Sequence, residues 1–139
     1  MKVIIINGPN LNLVGTRNTN VYGSVSFDTY LVDLKNNFKS LNLDYYQSNI
    51  EGEIVNKLQE VGFNYDYIIL NAGGYTHTSV AIADCIEAIE TPVLEIHISN
   101  IYSREEFRQK SLISPVCKGS IVGFGIDGYR LALNNIINS

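Results

Sequence analysis

At 139 residues and 45% hydrophobic content, the chain fits one compact domain, 1–139, with a core large enough to fold alone. Ten Lys and Arg against 14 Asp and Glu leave a net charge of −4, with no basic run to follow a phosphate backbone, so nucleic acid is not an expected partner. No segment approaches the roughly 20 apolar residues of a membrane span. The opening apolar run is too short for a secretory leader, and Cys85 and Cys117 lack CxxC spacing, so the expected compartment is the cytoplasm with reduced thiols.

The first expected strand, 2–7, ends in the turn Gly8-Pro9-Asn10-Leu11-Asn12, where glycine permits close backbone approach. A long loop, 11–23, follows; a loop of about a dozen residues in a compact domain is usually functional or disordered, and a lid over a pocket is the functional version. Phe27, Tyr30, Leu31, Leu34, Phe38 and Leu41 then recur at helical spacing. A second strand is expected at 44–47, a helix through Ile54, Leu58 and Val61, and a third strand at 67–71 running into Asn71-Ala72-Gly73-Gly74-Tyr75-Thr76-His77-Thr78-Ser79. Ile82, Cys85, Ile86 and Ile89 mark the next helix, and 93–98 a fourth strand that carries Glu95-Ile96-His97-Ile98 and leads into Ser99-Asn100. Arg104-Glu105-Glu106-Phe107-Arg108 reads as a short charged helix, 120–124 as a fifth strand, and Tyr129, Leu133, Ile136 and Ile137 as a terminal helix.

Strand and helix alternate throughout, and several strands are nearly continuous in hydrophobicity, as strands covered on both faces are. Parallel neighbours need crossovers, which are right-handed. The expected fold is therefore α/β and flavodoxin-like: a five-stranded parallel sheet in the order 2-1-3-4-5 with helices on both faces. Its switch point lies between strands one and three, where a ligand crevice opens, and the polar clusters after Asn7 and at Asn71 meet there.

Each chemical group at that edge also has a plain structural reading. Tyr22 in the long loop anchors the loop as an aromatic, or serves as a base. A phenol with a pKa of about 10 is ionised only about one part in a thousand at pH 7, and a guanidinium such as Arg17 within roughly 4 to 6 Å would lower that value by about 1–3 units. The two histidines, His77 and His97, both fall at the pocket edge, as structural groups or as acid–base and hydrogen-bonding residues. Glu95 shares a strand face with His97 and would orient the imidazole. A zinc site needs three or four converging ligands, for which His77, His97, Glu95, Asp84 and two poorly placed cysteines are a weak set. The segment 71–79 cradles an anion on backbone N–H groups, or caps a helix through Thr78 or Ser79. One of Arg104 and Arg108 reaches the pocket while the other is solvated.

Together, the clusters at 8–12, Gly15-Thr16-Arg17, Tyr22-Gly23, Gln47-Ser48-Asn49-Ile50-Glu51-Gly52-Glu53, 71–79, 95–100, 104–108 and Gly123-Phe124-Gly125 closely resemble the type II 3-dehydroquinate dehydratases, in order and across the whole chain. The resemblance implies a single catalytic domain that converts 3-dehydroquinate to 3-dehydroshikimate without a cofactor or metal. The reaction is an anti elimination through an enolate, on the shikimate route to chorismate and the aromatic amino acids. It implies Tyr22 as general base, Arg17 as the lid arginine beside it, His97 as general acid with Glu95 as its orienting partner, and Asn10 holding a water on the enolate oxygen. Asn71, His77 and Arg108 would bind substrate hydroxyls, the backbone at Ile98 and Ser99 the carboxylate, and Asp84 would reach a neighbouring subunit's site. Such enzymes assemble as homododecamers of trimers. One departure stands in the lid, where the family's Glu-Pro after the arginine is replaced by Asn18-Thr19; losing the proline's fixed φ predicts a looser open lid.

Two other classes use the same fold. A non-catalytic module would bind a phosphate or flavin in the crevice with no need of Tyr22. A structural protein would keep the assembly without activity, which Tyr22, Arg17 and His97 argue against.

Overall fold

The computed structural model describes residues 1–15 and 25–139. Five strands, β1 (Lys2–Asn7), β2 (Asn42–Gln47), β3 (Tyr67–Asn71), β4 (Val93–His97) and β5 (Gly119–Val122), form one sheet in the order β2-β1-β3-β4-β5, with every pair parallel. Four α-helices are described: α1 (Phe27–Asn37), α2 (Glu51–Val61), α3 (Val80–Ala88) and α4 (Gly128–Ile137). This is the flavodoxin-like α/β arrangement that the alternation of patterns predicts.

Because successive strand side chains point to opposite faces, the isoleucine-rich β1 feeds two separate cores. Val3 and Ile5 join Ile69, Ile96, Leu34, Leu133 and Tyr129 beneath α1 and α4, while Ile4 and Ile6 join Ile68, Leu70, Ile54, Leu58 and Ile82 beneath α2 and α3. Helix starts are local: the Ser26 hydroxyl accepts from the N–H of Thr29 at α1, and the Ser79 hydroxyl from that of Ile82 at α3. Of the two residues offered as caps for α3, Ser79 takes the role.

Several boundaries differ from the pattern. Strand β2 begins two residues earlier than expected, because Asn42 and Leu43 pair with Lys2 and Val3 despite the poor strand propensity of asparagine. Helix α1 stops at Asn37, where two asparagines weaken the last turn; Leu41 then packs on the same core from a turn, which prolongs the apolar periodicity beyond the helix. The charged segment 104–108 forms no α-helix; it carries the single 3-10 turn Glu106–Arg108, next to another at Ile101–Ser103. Strand β5 ends at Val122 because Gly123 takes φ +92°, and a β-carbon there would sit 3.1 Å from that of Asn100.

The turn after β1 is fixed by close packing. The N–H of Gly8 donates to the Asn71 carbonyl at 2.7 Å, and a β-carbon on Gly8 would lie 2.6 Å from the Ala72 carbonyl oxygen. Only glycine lets the chain leaving β1 rest directly on the chain leaving β3, which brings the two polar clusters together.

Candidate active site

A cleft enclosing about 170 Å³ opens at the carboxyl ends of β1, β3 and β4, the topological switch point. Asn10, Asn71, His77, His97, Ile98, Ser99, Arg104 and Arg108 line it, with Pro9, Leu11, Leu13, Val14, Gly73, Gly74 and Ile101. No Asp or Glu is among these described lining residues, although the chain as a whole carries a net charge of −4. Two guanidiniums and two imidazoles in a concave site make it a place for an anionic, hydroxylated molecule.

Asn10 stands in the left-handed region at φ 70°, a conformation asparagine tolerates. Its N–H donates to Oδ1 of Asn49 at 3.0 Å. Gln47 donates from Nε2 to both the Gly8 carbonyl and Asn49 Oδ1, each at 3.1 Å, and Tyr75 donates its phenol to the Asn49 carbonyl at 2.7 Å. The Gln47-Ser48-Asn49 segment thus braces the turn that carries Asn10.

His97 ends β4 with Nε2 2.6 Å from Glu95 Oε2, both side chains buried at 5% and 1% exposure. The shared strand face expected from alternation is therefore real. Burial by itself pushes the Glu95 carboxyl up, but hydrogen bonds donated by His97, Ser111 and Ser120 outweigh it and hold the group at about 2. Glu95 is thus ionised at neutral pH, and the proton between the pair belongs on Nε2. That fixes the ring so that Nδ1 is the nitrogen left for proton exchange.

The same carboxylate predicts an acid-sensitive fold. Its folded pKa of about 2 lies below the ordinary value of about 4.3, so its stabilising contribution is present above the unfolded value and is lost as pH falls from about 5 toward 2. The contribution is roughly 3 kcal/mol. Glu95→Gln should lower the denaturation midpoint at pH 7 and flatten its decline between pH 6 and pH 3; equal slopes in both proteins would remove Glu95 as the cause.

His77 lies beside His97, the rings 6.4 Å apart and 25° from parallel. Its Nδ1 is 2.9 Å from the Lys110 carbonyl, which only accepts, so the neutral ring carries its proton on Nδ1 and exposes the Nε2 lone pair. Arg104 Nη1 donates to the Ser99 hydroxyl at 3.4 Å, and Arg108 Nε to Glu105 at 2.9 Å. Both arginines line the cleft, so the expectation that one would be solvated is corrected: the turns at 101–108 fold this segment against the pocket.

The structure therefore brings Asn10, Asn71, His77, His97, Ile98, Ser99 and Arg108 to one cleft, with Glu95 directly behind His97. Asp84 is not among them; it is exposed on α3. Tyr22 and Arg17 lie outside the described residues. Sequence reasoning missed Ser111 and Ser120. Ser120 pairs in register with Glu95 across β4 and β5 and follows from the strand order; Ser111 comes from a loop with no local signal. Cys117 offers no nucleophile, since burial and the Glu95 charge push its thiol up to about 12.

The family described as Dehydroquinase class II matches residues 1–137. The 3-dehydroquinate dehydratase of Campylobacter jejuni is 55% identical over 139 residues, covering 99% of this chain and 87% of that protein. The one from Fusobacterium nucleatum is 51% identical over 142 residues, covering 99% and 97%. A crystal structure of type II dehydroquinase from Butyrivibrio crossotus has a TM-score of 0.92 at 46% identity, covering 100% of this chain and 98% of that one. With half-identical relatives along nearly its whole length and the same fold, this chain belongs to the class II dehydroquinase family.

Proposed function

We propose that the chain, as a single catalytic domain of residues 1–139, dehydrates 3-dehydroquinate to 3-dehydroshikimate by anti elimination through an enolate. The observation that carries this reading is the buried Glu95–His97 pair opening on a cleft lined by two arginines and none of the described carboxylates. The family and the names of its half-identical members point to the same reaction.

The chemistry needs three groups, because a proton beside a ketone is weakly acidic and hydroxide leaves poorly. Tyr22, activated by Arg17, removes the proton as general base. Asn10, at the braced turn after β1, holds a water on the developing enolate oxygen. His97, protonated on Nδ1, gives its proton to the departing hydroxyl, and the ionised Glu95 stabilises the imidazolium before transfer. Asn71, His77 and Arg108 bind substrate hydroxyls, and the Ile98–Ser99 backbone receives the carboxylate. No step calls on a metal or cofactor.

Asp84 is exposed and does not line its own cleft, which leaves it available to a neighbouring subunit, as a homododecamer built from trimers would require. The cytoplasm is the proposed site of action, as suits a step toward chorismate. Among the described residues, no helix is long and apolar enough to cross a membrane.

The test is to mix purified protein with 3-dehydroquinate and follow the ultraviolet absorbance of the conjugated enone product. Turnover that survives borohydride treatment with substrate present supports enolate chemistry over a lysine Schiff base. Absence of product from folded protein would return the chain to the class of non-catalytic binding modules.

A further inference from the structure

A largely buried chain of hydrogen bonds leads from the cleft residue Asn71 to Tyr129, Asn7 and Tyr45, three residues that the mechanism above does not use. The Gly73 N–H donates to Asn71 Oδ1 at 3.1 Å. Asn71 Nδ2 donates to the Tyr129 hydroxyl at 3.0 Å, that hydroxyl donates to Asn7 Oδ1 at 2.8 Å, and Asn7 Nδ2 donates to the Tyr45 hydroxyl at 3.4 Å. Asn7 and Asn71 are register partners at the ends of β1 and β3, and Tyr129, on α4, reaches between them with no exposed surface.

The direction of this chain is set at one end. A backbone N–H only donates, so Gly73 pins the Asn71 oxygen and turns the amide nitrogen toward Tyr129. The tyrosine must then accept, and its single proton goes on to Asn7. Burial pushes the Tyr129 phenol far above its ordinary range, so it stays a donor at any working pH. One of the two Asn71 N–H bonds is consumed by Tyr129; the other belongs to a residue that lines the cleft.

We propose that Tyr129 is a positioning residue for substrate binding: its hydroxyl locks the Asn71 carboxamide so that the cleft is offered an N–H donor, and a substrate hydroxyl must accept there. This rests on the reading of Asn71 as a substrate-binding residue. Without the lock, the amide loses its buried partner and must be ordered again each time substrate binds. The α4 helix thereby takes part in recognition from the sheet face that it covers.

Steady-state kinetics with 3-dehydroquinate test this through a double-mutant cycle. Tyr129→Phe should raise KM about tenfold with kcat changed less than about threefold, while Tyr45→Phe, which removes only the terminal acceptor, changes neither by more than about twofold. In an Asn71→Ala background, Tyr129→Phe should add less than about twofold to KM, since a residue acting only through Asn71 has nothing left to position. A KM unchanged by Tyr129→Phe, or raised equally in both backgrounds as a general packing defect would raise it, overturns the proposal. If Asn71→Ala itself leaves KM unchanged, the assignment of Asn71 falls and this inference falls with it; if Asn71→Ala raises KM and Tyr129→Phe does not, only this inference falls. Should Tyr129→Phe not fold, Asn7→Leu frees the phenol proton to compete for Asn71 and should raise KM in the same way; an unchanged KM there is equally decisive against the proposal.

Discussion

Replacement of His97 by alanine is expected to lower kcat for 3-dehydroquinate by about 10²–10⁴-fold while KM stays within a few fold, the usual loss when a positioned general acid is removed. The departing group is hydroxide, which leaves slowly unless protonated as its bond breaks, and His97 is the described imidazole in the cleft backed by an ionised carboxylate. In the proposed mechanism Glu95 is the partner of that ring, its carboxylate shielded from water at 1% exposure and held 2.6 Å from Nε2. The variant should still fold, because Glu95 keeps the hydrogen bonds donated by Ser111 and Ser120. Its thermal midpoint at pH 7 should fall, since the buried carboxylate loses its ring partner, and unfolding curves that still show a folded majority at the assay temperature separate lost chemistry from lost structure. A kcat within tenfold of the parent would assign the proton donor elsewhere, with His77, whose ring lies beside that of His97, as the next candidate.

What could be read before folding was the part of the molecule governed by local periodicity. Alternation of apolar strands and helical stripes is enough to specify the doubly covered sheet, and with it the edge where Asn10, Asn71 and His97 meet, since parallel strands end on one side. The face shared by Glu95 and His97 follows from the two-residue period of a strand. The rest depends on contacts between distant segments. Neither Ser111 nor the Tyr129 hydroxyl carries any local mark of its role: one closes on Glu95 from a loop, the other joins two asparagines from 58 and 122 residues away. Likewise, both arginines of 104–108 enter the cleft because paired 3-10 turns, rather than a helix, set their direction. A helical reading places such charges by a 3.6-residue wheel that this segment does not follow.

Tyr22→Phe is expected to reduce turnover by about 10²–10⁴-fold while leaving affinity for the product, 3-dehydroshikimate, within a few fold. The substitution keeps the aromatic ring and deletes the one oxygen able to take a proton, so the loss is one of basicity alone. At pH 7 an ordinary phenol is ionised in only about one molecule per thousand, and if Arg17 has the proposed role, a lowering of about 1–3 units would bring the phenolate to a useful fraction. A base of that kind also predicts a sign for pH dependence: kcat in the parent enzyme should rise with pH through the lowered phenol pKa, and Arg17→Ala should move that rise upward by about 1–3 units, since the neighbouring positive charge is gone. The experiment separates the two classes of function that share this fold. A binding module would show no turnover in either protein and the same ligand affinity in both, whereas an enzyme loses rate and keeps binding. Turnover by Tyr22→Phe within tenfold of the parent would transfer the role of base to another group. The cleft's described lining provides only the imidazoles for that role, which would leave the acid and the base to be divided between His77 and His97.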